Sequence, residues 1–271
     1  MVTSVRRLVP LLLAGLLVLP LTGPVAAVED EPGTTDAMLL QAGRDLVTLT
    51  NAKRTAQGLV PVREDPALMA IARDRAQVMA DNDFMSHTEP DGTMAWDRMN
   101  AAGLTWFGAG EIIAWNHYPY EYSVAEAIRA WWASPGHHSI MVSTSYNYVG
   151  FGAAMSADGK FYYAGVFAKR PDHSAPWASF RKTYMRKIDA HHKRVTVRWA
   201  GNDTRLQVLT SGLRYFNVEW RRAGGAWHSW GTTTATSHKA RWVRGATYEV
   251  RVRSRDRAGL WGAWHLKRIT P

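Results

Sequence analysis

Arg251, Arg253 and Arg255 recur at every second position, with Tyr248, Val250 and Val252 in the complementary phase. Successive side chains of a strand point to opposite faces, so this spacing gathers three guanidinium groups on one side and three apolar side chains on the other. Such a face suits an anion, although the same pattern also describes an ordinary solvated face. Nucleophilic chemistry has less to start from. The chain has no cysteine, no Gly-x-Ser-x-Gly elbow and no compact His-Glu-x-x-His metal motif. Charge is unevenly spread: residues 28–173 hold 11 Lys/Arg against 18 Asp/Glu, or −7, whereas residues 174–271 hold 20 against 5, or +15. A change of sign on that scale predicts two domains with different partners.

The elements that must position these groups follow from periodicity. Arg6-Arg7, the apolar run Leu8–Leu21 and the small residues Val25-Ala26-Ala27 read as a secretory signal cleaved after Ala27. No second apolar stretch is long enough to span a bilayer, so the mature chain is expected to have no transmembrane span. Residues 28–35 form an acidic leader. A helix is expected from about Asp36 to Gln57, and a second from Asp65-Pro66, with Asp as N-cap and Pro at the first helical position. Leu68, Ile71, Ala72 and Met79 line one face of that second helix. A short helix covers Trp96 to Ala102, and Ser123-Val-Ala-Glu126 reads as the capping box of another that ends before Pro135. Residues 149–154 and 161–167 flank a turn and predict a hairpin. After a linker at 171–189, the period becomes two: Val195, Val197 and Trp199, then Phe216, Val218 and Trp220, then Tyr248, Val250 and Val252. The expected fold class is therefore α+β followed by a small all-β domain at 190–271.

Four segments, taken in order, resemble the bacterial form of the CAP superfamily (cysteine-rich secretory, antigen 5 and pathogenesis-related, or SCP). They are Asp83-Phe-Met-Ser-His87, Gly110-Glu-Ile-Ile-Ala-Trp115, Trp131-Trp-Ala-Ser-Pro-Gly-His137, and the strand pair Val149-Gly-Phe-Gly and Tyr163-Ala-Gly-Val-Phe. The resemblance implies a CAP-type α-β-α sandwich over residues 36–170. It also implies a cleft lined by two histidines and two acids. The matching positions here are His87, Glu111 and His137, with Ser134 where the second acid would fall. His138, next to His137, is the rival for the last imidazole. Two imidazoles and a carboxylate are suitable ligands for Zn²⁺ or a similar divalent ion. The same residues also read as hydrogen-bonded scaffold of the cleft wall. Trp115 and Tyr118 to Tyr122 form an aromatic stretch able to touch a lipid. Segments 195–199, 215–221, 225–227 and 245–256 resemble a fibronectin type III or related sandwich.

These readings combine into an expected function. The chain is a secreted, extracellular or cell-wall-associated protein that binds rather than turns over its ligand. The CAP cleft would take a metal, lipid or peptide, and the basic domain would hold an anionic wall polymer or lipid headgroup through Arg251, Arg253 and Arg255. Export disfavours nucleic acid as a partner. The competing expectation is a divalent-metal-dependent hydrolase using His87, Glu111 and His137, which the loss of an acid at Ser134 argues against.

Overall fold

The computed structural model describes residues 32–271, so the signal reading of residues 1–27 and the first half of the leader, 28–31, lie outside the described residues. Helix α1 runs from Pro32–Ala56, starting a turn earlier than its apolar periodicity suggests. A two-residue strand β1 (Arg63–Glu64) leads into α2 (Pro66–Asp81), which begins as its sequence predicts. The Asp65 carboxylate accepts hydrogen bonds from the Ala67 and Leu68 amides, satisfying donors that a helix start leaves free. Helix α3 (Ala95–Ala101) and strand β2 (Gly108–Asn116) follow, then α4 (Tyr120–Ala133), α5 (Pro135–Met141), β3 (Tyr148–Met155) and β4 (Phe161–Lys169).

These strands make one sheet in the order β1-β3-β4-β2, with β1 parallel to β3 and the other pairs antiparallel. Both faces are covered, which is why β3 and β4 read as nearly unbroken apolar runs. Phe151, Phe161, Tyr163 and Phe167 pack with Leu46 of α1, Trp131 of α4 and Met141 of α5. Residues from the other face, including Tyr148, Tyr162, Ala164 and Val166, pack with α2 and α3. Glycines let α2 lie directly on β3. A Cβ at Gly152 would stand 2.2 Å from the Arg73 backbone nitrogen, and one at Gly150 would stand 2.0 Å from the Leu68 carbonyl carbon.

Two sequence expectations change here. Ser123 does not cap α4, which starts three residues earlier behind Pro119. The Ser123 hydroxyl is buried, donates to Asn116 Oδ1 at 2.6 Å and lies 2.6 Å from the Tyr163 hydroxyl, while Glu126 pairs with Arg129. The second change is that residues 171–189 are not merely a linker. They contain β5 (Trp177–Phe180) and β6 (Tyr184–Lys187), both paired antiparallel with β7 (His192–Asn202). The β-rich part therefore begins before residue 190.

That part also holds β8 (Leu213–Arg222), β9 (His228–Thr233), β10 (Ser237–Val243), β11 (Tyr248–Asp256) and β12 (His265–Ile269). One sheet is ordered β10-β7-β5 with β6 also on β7, and the other is β12-β11-β8-β9. Val195, Val197 and Trp199 from the first sheet share a core with Phe216, Val218, Val250 and Val252 from the second. The loop at 203–212 reaches back to the helical part. Leu206 is buried beside Leu68, Ile71 and Tyr148. Gln207 Oε1 accepts from the Val60 amide at 2.9 Å, and the Val208 carbonyl accepts from Asn147 Nδ2 at 3.0 Å.

Candidate functional site

The site forms at the β2 edge of the first sheet. An edge strand leaves backbone groups without strand partners, and Trp131 Nε1 of α4 covers part of that edge by donating to the Ile113 carbonyl at 2.8 Å. The alternation of β2 turns Ile112 and Ala114 toward α1 and α4, and Glu111 and Ile113 toward α2. Glu111 thereby meets Arg75, a fully buried arginine at a core-facing position of α2.

Arg75 organises the loop at 82–94. Its Nε donates to Glu111 Oε1 at 2.8 Å and one terminal nitrogen to Glu89 Oε1 at 2.7 Å. The other terminal nitrogen donates to the carbonyls of Ser86 and His87 at 2.9 and 3.0 Å, and to Glu111 Oε2 at 3.3 Å. Arg98 of α3 grips Glu89 with two bonds, at 2.8 and 2.7 Å. Burial alone would lower the Arg75 pKa, but its bonds to Glu111 and Glu89 hold it up. Burial likewise works to raise the Glu89 pKa, and Arg98 and Arg75 together bring it below the usual carboxylate range. Asp83 fixes the start of the loop by accepting from Lys160 Nζ and the Tyr162 hydroxyl, both at 2.7 Å.

His87 sits on this loop with Nδ1 2.7 Å from Glu111 Oε2. Nδ1–H donates to this carboxylate oxygen, and in that tautomer Nε2 is left as an acceptor. His87 is half exposed. His137 lies on α5, which starts with Pro135 at its first helical position. Burial, and then the charge of nearby His87, push the His137 pKa down, so the ring is neutral at pH 7. His138 turns elsewhere and packs edge-on against Trp132 with ring centroids 4.4 Å apart. Ser134 both ends α4 and precedes α5. Ser134 and His137 form the polar end of a groove of ≈ 260 Å³ whose other walls are Met85, Ile113, Ala114, Trp115, Ala130 and Trp131. Met85 and Trp115 are about half exposed at its rim.

The three residues expected to hold a divalent ion do not fit one in this arrangement. Both Glu111 oxygens already accept from Arg75, and one also accepts from His87. Among the described residues, the three acids or imidazoles whose ligand atoms all lie within 4.8 Å of one another are instead Asp172, Asp203 and Asp256. Sequence reasoning missed Arg75, Glu89 and Arg98. Arg75 had a signal: it continues the apolar stripe of Leu68, Ile71, Ala72 and Met79, where a charge needs a partner.

The arginines of β11 are also placed differently from a free cationic face. They interleave with tryptophans in the order Arg221, Trp227, Arg251, Trp264, Arg253, Trp261, Arg255, with guanidinium-to-ring distances of 4.0–5.2 Å. Arg251 is ion-paired with Glu219, and Arg255 donates to Tyr215 and to the Gly259 carbonyl. An open cationic surface lies on the other sheet. Arg186, Arg194 and Arg241 stand in register across β6, β7 and β10, all exposed. Arg241 is paired with Asp189 at 3.0 Å.

Residues 47–167 match the family model described as CAP, the cysteine-rich secretory protein family. The chain is 33% identical over 109 residues to the Bacillus subtilis (strain 168) protein YkwD, covering 40% of this chain and 41% of YkwD. It is 28% identical over 127 residues to the B. subtilis membrane protein YlbC, covering 47% of this chain and 34% of YlbC. The chain thus spans about two fifths or less of the length of these curated relatives. Among solved structures it is similar to an extracellular SCP-domain protein from Bacillus anthracis str. Ames, at 23% identity and a TM-score of 0.46, covering 52% of this chain and 44% of that one. A cysteine-rich secretory protein from Staphylococcus aureus gives 19% identity and a TM-score of 0.39, covering 53% and 40%. Among the described residues, no helix is long and apolar enough to cross a membrane.

Proposed function

We propose that the chain is an exported, non-enzymatic binding protein in which a CAP-type α-β-α sandwich takes a ligand and a fibronectin type III-like domain attaches it to the cell envelope. The observation that carries the reading is the state of Glu111. It is buried, its oxygens accept from Arg75 and His87, and it faces α2 rather than the groove. A carboxylate so held works as scaffold rather than as a proton-transfer group. What remains for a ligand is an apolar groove ending in a serine hydroxyl and the neutral imidazole of His137. That suits a molecule with an apolar body and a hydrogen-bonding head, such as a single-chain lipid or an apolar peptide end.

Attachment would use the outer face of β6, β7 and β10. Like charges directly opposite one another in a sheet are destabilising, and an anionic polymer lying across Arg186, Arg194 and Arg241 would relieve that repulsion. The Arg251, Arg253 and Arg255 stack is a weaker candidate because its guanidinium groups are already stacked on tryptophans, and those of Arg251 and Arg255 are also bonded.

Two measurements on the intact chain test the reading. Titration with a single-chain fatty acid should change Trp115 fluorescence, and His137→Phe should weaken the response at least tenfold. In parallel, binding to isolated cell walls should fall steeply between low salt and 0.5 M salt, and should drop with Arg186→Ser plus Arg194→Ser while the fold persists. Zinc-dependent turnover of an ester or peptide that disappears in Glu111→Gln would instead establish the hydrolase. Wall binding unchanged by salt would remove the proposed anionic partner.

A further inference from the structure

Away from the cleft, three carboxylates converge where the two halves of the chain meet. Asp172 follows β4, Asp203 follows β7, and Asp256 is the last residue of β11. Their ligand atoms all lie within 4.8 Å of one another. Asp203 and Asp256 are buried, and among the described residues none of the three is ion-paired. Every donor they have is neutral. Asp172 accepts from the Ser174 and Ser211 amides and, at 3.4 Å, from the Tyr148 hydroxyl. Asp203 accepts from the Thr204 and Gly212 amides and the Ser211 hydroxyl.

Asp256 supplies the independent sign. It is fully buried. Its Oδ1 accepts from the Leu260 amide at 2.7 Å, but its Oδ2 has no partner among the described residues. A buried carboxylate oxygen left bare among two other carboxylates lacks the cation that ordinarily accompanies buried acids.

We propose that Asp172, Asp203 and Asp256 form a calcium site that joins the CAP domain to the β-domain. The donor set is all oxygen, which suits a hard cation and not zinc. Calcium binds oxygens at about 2.3–2.6 Å, so ligand atoms around one ion stand no more than about 5 Å apart, a limit this cluster meets. Magnesium demands a stricter octahedron at about 2.1 Å and usually keeps several waters, so three converging carboxylates suit it less. The ion would tie the segment after β4 to the loop at 203–212, the loop that carries Leu206 into the CAP core. It would thus fix the two domains relative to each other.

The test uses the intact chain stripped of metal with a chelator. Calcium chloride at a hundredfold excess over Kd should raise the melting temperature by about 5–10 °C, and magnesium by less. Asp203→Asn and Asp256→Asn, each checked for an unchanged circular dichroism spectrum, should lose the calcium-dependent shift. Without metal, both should melt no lower than the parent, because a repelling charge has gone. Absence of any calcium response, or the same response in Asp256→Asn, overturns the proposal. So does stabilisation on mild acidification without a calcium response, which would mean that a shared proton holds the cluster together.

Discussion

At the scale of single residues, the cleft depends on an arginine that never reaches its surface. Arg75 bonds two carboxylates and two carbonyls, so it fixes the Glu111 carboxylate, the path of the His87 loop and, through Glu111, the tautomer of His87. Removing it would strand Glu89 and Glu111 in a low-dielectric interior, with Arg98 compensating only the first. We expect Arg75→Met to cost about 3–5 kcal/mol, the range for breaking one side of a buried ion pair. Urea denaturation at pH 7 measures it. A cost below about 1 kcal/mol would mean that the network is dispensable. His87 and His137 carry no such structural weight, being partly exposed, and their substitution should leave the unfolding midpoint nearly unchanged. The positions of these histidines and of Glu111 were legible through the resemblance of their motifs. The Arg75 clamp was not, because only the fold shows which acids a core-facing arginine meets.

Among the elements, the contact of α2 with β3 sets how closely Arg75 approaches the sheet. Gly150 and Gly152 leave no room for a side chain, since the atoms nearest a Cβ belong to the α2 backbone. Overpacking typically costs about 1–3 kcal/mol and occasionally more. Because a rigid helix backbone cannot move aside like a flexible side chain, Gly152→Ala should cost about 3 kcal/mol or more, read as a shift in the urea midpoint. A near-neutral result would show that the helix can slide on the sheet. Sequence legibility also varied by element. The α2 start, the β3–β4 hairpin and the alternating strands were plain, because local chemistry alone specifies them. Helix α5 was missed because Pro135-Gly136 looks like a break, although Pro at the first turn marks a start. The Ser123 capping pattern misled because the serine is instead bonded to Asn116 and Tyr163 in the interior. Strands β5 and β6 were hidden by their shortness, four residues each, and β6 is exposed along its whole length and exists through pairing with β7.

For the whole molecule, the −7 and +15 halves suggested separate partners, yet the two halves dock on one another. The 203–212 loop does so with one apolar anchor and several hydrogen bonds. Leu206→Ala should cost about 2–5 kcal/mol, as expected for truncating a buried leucine. The loss should fall on the junction rather than within either core, so calorimetry should show one thermal transition in the parent and two in the variant. A single transition in both would mean that hydrogen bonds alone couple the halves.

The aromatic cluster of the β-domain has an optical consequence. Trp220, Trp230, Trp242 and Tyr248 lie with ring centroids 4.3–6.4 Å apart, and Trp242 and Tyr248 are inclined by only 3°. Transition dipoles that close and that fixed must couple, giving the β-domain a chiral absorption signature of its own. The buried tryptophan of the helical part, Trp131, is paired with Phe151 rather than with another indole. Light alone should therefore report when the β-domain lets go, without a label and while the helices are still counted by their amide bands.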